Sequence, residues 1–219
     1  MASLLVFVYG IYASYFHTDT YGQNSNEKIK ALPLQDLIRN GSPFQGKVSA
    51  PITIIDFSDF QCYLCNRFVK NTEPLMNQSY IQTGKVALVF NHLPNRGFDS
   101  MGAALAAQCT NDQGKFWQFH NLLYSNQKAI DSGWVSKENL KNFASRIPGL
   151  DIKRFDRCFD SEKYKSFVQK EIELALSFGF KETPSFIVEN SNGSSQETMS
   201  GALPFESFKA VIDKKISAG

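Results

Sequence analysis

The feature that most narrows the fold is a β-branched run that ends just before a cysteine pair. Pro51-Ile-Thr-Ile-Ile-Asp-Phe57 is followed after a short gap by Cys62-Tyr-Leu-Cys65. Ile and Thr are stiff at χ1 and suit extended backbone, and a run this apolar needs cover on both faces. Downstream of the pair, Phe68, Val69, Leu75 and Met76 fit a helix over 66–80, with an interruption or kink expected at Pro74, which has no N–H to give to a helix interior. Cys62 thus stands where a buried strand turns into a helix. Lys85-Val-Ala-Leu-Val-Phe90 reads as a second strand. The segment between the two strands is long enough for a helical crossover, which predicts parallel pairing.

From about 101 to 180 the strand signal vanishes and apolar residues recur at helical spacing, as in Leu105 with Cys109 and Phe167 with Ile172 and Leu176. Strand character returns at Ser185–Glu189, Gln196–Ser200 can pair back across a polar turn, and 204–216 closes as an amphipathic helix. The order β-α-β, helical block, β-β-α describes one α/β domain split by an all-helical insertion, since neither flanking part could bury a sheet alone. A chain of 219 residues with 42% apolar content is long enough for that core. The expected divisions are 41–97 and 181–219 for the two halves of the α/β domain and 98–180 for the insertion.

Ahead of them, Ala2 to Phe16 carries no charge and includes Leu4-Leu-Val-Phe-Val-Tyr9, which reads as a signal or membrane-anchor segment over 1–16. It is shorter than the roughly 20 residues of a spanning helix. A tether and lead-in follow over 17–40, its first part rich in Asn, Ser, Thr, Asp and Gly. This places the protein outside the cytoplasm, secreted or membrane-anchored. A net charge of +2 with both signs interspersed argues against a nucleic-acid partner.

A thiolate, not a thiol, attacks a disulfide. At the first turn of a helix, Cys62 would face unpaired backbone N–H groups and the positive end of the helix dipole, which favour the anion. Cys65, one turn on, lies close enough to bond to it. Cys62 is then the exposed attacking thiol and Cys65 the resolving one. The same spacing also serves zinc half-sites, but a second Cys-x-x-Cys is missing and Cys109 and Cys158 stand apart in helical patterns. No metal is expected. By themselves Cys109 and Cys158 fit either two buried thiols or one bridge across the insertion. His92 and His120 read as packed or surface residues, and Phe116, Trp117 and Phe119 as helix-packing core. Asp56 lies inside an apolar strand, where a carboxylate must be neutralised, paired or useful; a strand-end Asp reaching solvent is the bland alternative.

These residues resemble the DsbA-like thioredoxin-fold oxidoreductases, particularly those of Gram-positive bacteria and archaea. The likeness opens at Ala50-Pro-Ile-Thr-Ile-Ile-Asp-Phe-Ser-Asp-Phe-Gln-Cys62 and runs through Gln113-Gly-Lys-Phe-Trp-Gln-Phe-His120, Phe155-Asp-Arg-Cys-Phe159 and Gly179-Phe-Lys-Glu-Thr-Pro-Ser-Phe186. It spans about 46–216. It implies a thioredoxin fold with the helical insertion, a thiol:disulfide oxidoreductase that introduces disulfides into exported proteins at Cys62 and Cys65, and no cofactor. Reductase or isomerase action, or a non-catalytic peptide-binding module, are the alternatives. A membrane redox partner would reoxidise the pair. The resemblance also implies a cis-proline loop at Thr183-Pro184 beside the cysteines, a proton relay at Asp56, and a structural disulfide between Cys109 and Cys158. Gln61, Tyr63 and Leu64 join Thr183 and Pro184 as expected substrate contacts. One departure bears on redox poise: Tyr63-Leu64 lacks the histidine of the strongest oxidants, which predicts a less depressed Cys62 thiol and a less oxidising pair.

Overall fold

The computed structural model describes residues 33–192 and 195–218. The candidate signal or anchor segment and most of the tether lie outside the described residues. Among the described residues no helix is long and apolar enough to cross a membrane.

Among the described residues the sheet has five strands in the order β1-β3-β2-β4-β5: β1 (Phe44–Gln45), β2 (Ile52–Ser58), β3 (Val86–His92), β4 (Ser185–Asn190) and β5 (Gln196–Ser200). β2 runs parallel to β3, with Ile54 opposite Leu88, and antiparallel to β4, with Phe57 opposite Ser185. Every residue of β2 and β3 is buried, because both faces of the sheet are covered. Alternation sorts the side chains. Ile52, Ile54, Val86, Leu88, Phe186 and Val188 share a core with Phe68, Phe208 and Ile212, whereas Ile55, Phe57, Val89 and Ile187 pack with Leu34, Leu37 and Ala175 on the other side. Asp56 has the parity of Ile52 and Ile54. It therefore lies on the face that carries the helix after the cysteines.

That helix, α2 (Tyr63–Asn71), buries Cys65, Asn66 and Phe68, and the Phe68 ring sits 4.7 Å from Phe186 and 5.5 Å from Phe208. The expected interruption falls at Thr72. A second short helix, α3 (Glu73–Met76), begins there with Pro74 in its first turn, where a missing N–H costs nothing, and a π-helical turn, Asn77–Ile81, finishes the crossover. Helix α1 (Leu34–Arg39) falls within the stretch expected to be tether and lead-in; its Leu34 and Leu37 are buried under the sheet.

Five helices make the block between β3 and β4: α4 (Ser100–Asn111), α5 (Phe116–Ser125), α6 (Lys137–Ser145), α7 (Ile152–Asp160) and α8 (Lys165–Ser177). Four alanines of α4, Ala103, Ala104, Ala106 and Ala107, are wholly buried, so neighbouring helices approach its backbone closely. α9 (Phe205–Ala218) returns to the sheet through Phe208 and Ile212. A disulfide joins Cys109 of α4 to Cys158 of α7, with Cα atoms 5.8 Å apart and 49 residues between them in sequence. Closing a loop of that length removes about 4 kcal/mol of unfolded-chain entropy. Replacing both cysteines by alanine should therefore cost the fold about 2–4 kcal/mol in urea unfolding; a loss below about 0.5 kcal/mol would show that the helices hold together without the bridge.

Candidate active site

β2 ends at Ser58, and three residues turn the chain into α2. Cys62 is the N-cap of that helix, with extended backbone (φ −75°, ψ 118°), and its sulfur accepts from the Cys65 N–H at 3.4 Å, the bond a capping Ser or Asp side chain would make. Cys62 and Cys65 are free thiols, and both are buried. Against the expectation of an exposed nucleophile, Cys62 is only 3% accessible, because the 181–184 loop lies over it. The register of β2 with β4 brings that loop there: Thr183 and Pro184 precede Ser185, the partner of Phe57. The Thr183–Pro184 bond is cis, and the Cys62 thiol donates to the Thr183 carbonyl at 3.2 Å.

The expected substrate contacts divide. Tyr63 is 72% exposed at the helix start, and Leu64 is half-buried against the helical block. Gln61 is buried, with its amide donating to Ser100 Oγ and Asp131 Oδ1 at 3.1 Å each and accepting from the Asp131 N–H. The turn aims it inward, where its polar atoms must be paired.

Asp59 organises this turn. Its Oδ1 accepts from the Gln61 N–H at 2.7 Å and from Ser100 Oγ at 2.9 Å, while Oδ2 accepts from the Asn95 and Arg96 N–H groups at 2.8 Å each. One buried carboxylate thus ties the cysteine turn to the loop after β3 and to the start of α4. That loop reaches the 181–184 loop as well, through Asn95 Nδ2 to the Lys181 carbonyl at 2.9 Å and Arg96 Nε to Thr183 Oγ1 at 3.3 Å. Arg96 also pairs with Glu182. A Cβ on Gly97 would fall 2.3 Å from Asp131 Oδ1 and 2.7 Å from Gln61 Nε2, so only glycine lets the loop pass this close. From the helical side, Gln127 Nε2 donates to the carbonyls of Phe60 and Cys62 at 2.8 and 2.9 Å.

The two sulfurs have opposite acidities. The Cys62 thiol is lowered to about 6: the bond from the Cys65 thiol leads, burial opposes, and Thr183, the Cys65 N–H and the charge of Arg96 add to the lowering. Cys65 is pushed well above its usual value, first by burial and then by Cys62. Cys65, with Thr183 and Arg96 from two other loops, thus depresses Cys62 although Tyr63-Leu64 carries no histidine. Beneath the pair, Asp56 accepts from Ser58 Oγ at 2.5 Å, and burial raises its carboxyl to about 7. A second buried acid, Glu73, rises to about 8, through burial and then the charge of Asp56. Glu73 borders a cavity of about 580 Å³ with Lys70, Trp117, Asn121 and Tyr124. His92 and His120 are fully buried, held uncharged by that burial, and packed among Phe60, Phe90 and Phe116.

Sequence reading missed Asp59, Glu73, Arg96 and Gln127. One signal pointed toward Arg96: parallel β2 and β3 must end at the same edge of the sheet, where sites in α/β folds gather.

A family model described as thioredoxin matches residues 39–214. The probable disulfide bond formation protein D of Bacillus anthracis is 32% identical over 174 residues, covering 78% of this chain and 76% of that one. The oxidised BdbD structure from Bacillus subtilis superposes with a TM-score of 0.72 at 26% identity, over 81% of this chain and 94% of that one. Wolbachia pipientis α-DsbA1, 24% identical, shares the fold with a TM-score of 0.69 over 81% and 92% of the two chains.

Two outcomes follow from the shifted groups. Iodoacetamide alkylation of the reduced protein should rise with a midpoint near pH 6 and map to Cys62, leaving Cys65 unlabelled at neutral pH; a midpoint near pH 8.5 would contradict the lowered thiol. Asp56 is raised on folding, so its charge costs nothing below the ordinary carboxylate range and destabilises as pH climbs toward about 7. Asp56→Asn should therefore stabilise the fold by roughly 2–4 kcal/mol at about pH 8 and by almost nothing at about pH 3.5, read by urea unfolding.

Proposed function

Because the chain belongs to the DsbA-like thioredoxin-fold family of thiol:disulfide oxidoreductases, we propose that it forms disulfides in exported proteins by exchange at Cys62 and Cys65. The observation that carries this reading is the N-cap position of Cys62, where its thiol falls to about 6 while its buried neighbour Cys65 stays protonated. A sulfur stabilised as thiolate is a good leaving group, and the stabilisation favours the reduced pair. Both effects drive the disulfide off this protein and onto a client, which supports oxidation over reduction as the working direction.

In the first step a client thiolate attacks Cys62 Sγ of the oxidised pair. The Cys62–Cys65 bond breaks, the client–Cys62 bond forms, and Cys65 leaves with the electron pair and must take up a proton. Asp56 is placed to supply it: burial raises its carboxyl to about 7, so the protonated form is present near neutrality. A second client thiolate then attacks the client sulfur of the mixed disulfide, forming the client disulfide and releasing Cys62 as thiolate. Two client thiols have become one disulfide and the pair has gained both electrons. Tyr63 and the 181–184 loop flank Cys62, and an extended client segment running along Thr183 and Pro184 would reach the sulfur. Reoxidation passes two electrons to a membrane redox partner. The uncharged run from Ala2 to Phe16 supports export, with membrane association through that segment.

With a reduced, denatured disulfide protein as client, Cys62→Ser should abolish stoichiometric oxidation. Cys65→Ser, offered the same client with its disulfide intact, should attack that disulfide through Cys62, release one client thiol and accumulate the mixed disulfide, visible by non-reducing electrophoresis and peptide mapping. A Cys62→Ser protein that promotes oxidation as well as the wild type would replace this reading with that of a peptide-binding module.

A further inference from the structure

The best-known way to hold a thiolate in such a pair is a cation inside the motif, and Tyr63-Leu64 provides none. A positive charge nevertheless reaches Cys62, from a loop that lies far away in sequence. Arg96 sits in the turn after β3, with its backbone N–H fixed on Asp59 Oδ2 at 2.8 Å and its Nε on Thr183 Oγ1 at 3.3 Å. Thr183 is the same residue whose carbonyl accepts from the Cys62 thiol at 3.2 Å, so sulfur and guanidinium share one neighbour. The guanidinium also pairs with the Glu182 carboxylate next in the chain.

Glu182 is 73% exposed and Arg96 30%, which puts their pair in screened surroundings where an ion pair is weak. Cys62, on which the same guanidinium acts, is shielded from solvent. The charge is therefore divided between a screened carboxylate and a desolvated sulfur, and Coulomb attraction is stronger toward the group with less water around it. The other ionisable groups acting on or around Cys62 are Cys65 on α2, Asp56 on β2, Asp59 after it and Tyr124 on α5. All are neutral or anionic when they ionise. Within this set Arg96 is the only cation.

We propose that Arg96 is the electrostatic partner of the Cys62 thiolate, taking the place of a cation within the motif, and that Glu182 competes with the sulfur for it, so that this pair sets the oxidising strength of the disulfide. The inference rests on the exchange reading of Cys62 and Cys65 and names what tunes it. The logic is that of linked equilibria. Two glutathione thiols reduce the Cys62–Cys65 bond, giving one glutathione disulfide and the reduced pair, and whatever favours the Cys62 anion pulls this equilibrium toward the reduced protein.

The test titrates Cys62 by ultraviolet thiolate absorbance and measures the glutathione equilibrium for wild type, Arg96→Gln, Arg96→Lys and Glu182→Gln. Circular dichroism and Tm confirm folding in each. Arg96→Gln should move the thiolate midpoint up by about one pH unit and make the oxidised protein about fivefold harder to reduce near pH 7. Arg96→Lys keeps the charge and should recover at least half of that change. Glu182→Gln should move both readouts the opposite way, with reduction favoured about threefold, because the guanidinium then answers to the sulfur alone. Opposite shifts in folded proteins cannot come from a loop that is merely loosened, and Glu182→Gln, an exposed change, decides the matter even where Arg96→Gln fails to fold. Unchanged midpoints in Arg96→Gln, or a Glu182→Gln shift in the same direction as Arg96→Gln, overturns the proposal. A wild type that does not equilibrate with glutathione through Cys62 and Cys65 overturns the exchange reading instead.

Discussion

β2 has no free edge, and the arrangement of the site depends on that constraint. It is hydrogen-bonded in parallel to β3 and antiparallel to β4 over nearly its whole length, and all seven of its residues are buried. A strand clamped this way cannot slip without turning every side chain to the opposite face. The register therefore dictates three things together. It places Asp56 on the face beneath α2, brings Thr183 and Pro184 alongside the end of the strand, and delivers the loop after β3 to the same edge as the cysteine turn. Cys62 caps the helix that starts just past that clamp, which sets its sulfur at the helix N-terminus.

At that edge, charge and burial are set against one another. Desolvation acts on Cys62, Cys65, Asp56 and Glu73 alike, yet only Cys62 is stabilised as an anion, because it alone has a helix-start N–H, a thiol donor and a guanidinium gathered on it. The others are held toward their neutral forms. The contrast separates roles. A sulfur poised as an anion can attack and leave, and a neutral buried acid beneath it can hold or release a proton. The energetic cost falls on the fold, which carries carboxyl groups in its core that water would solvate better.

Much of this was legible in the sequence, and the rest was not for definite reasons. The β-branched run, the cysteine pair opening a helix, and the long loss of strand character are local signals, and β2, α2 and the helical block appear close to where they were expected. Helix α1 and strand β1 have six and two residues, too few for any periodicity to stand out. The π-helical turn after Pro74 leaves no pattern distinct from an ordinary helix end. Gln61 and Tyr63 both adjoin Cys62 in sequence, but a tight turn sends neighbours in different directions, and the Gln61 side chain is buried against Ser100 and Asp131 while Tyr63 is exposed. Asp59 and Arg96 matter through partners that are distant in the chain, which only the paired strands reveal. The heightened Cys62 acidity escaped a reading confined to the two residues between the cysteines, since what raises it comes from the Cys65 thiol, the Cys65 N–H at the helix start and two loops.

The central claim is that Cys62 and Cys65 form the exchanging disulfide, while Cys109 and Cys158 form a fixed one. The most direct measurement mixes the fully oxidised protein with one equivalent of a reduced two-cysteine peptide, quenches with acid, labels free thiols and maps them by mass spectrometry. The expected result is a peptide oxidised in step with labelling at Cys62 and Cys65, with Cys109 and Cys158 still joined. Persistence of the Cys62–Cys65 bond, or label arriving at Cys109 and Cys158 instead, would contradict the account.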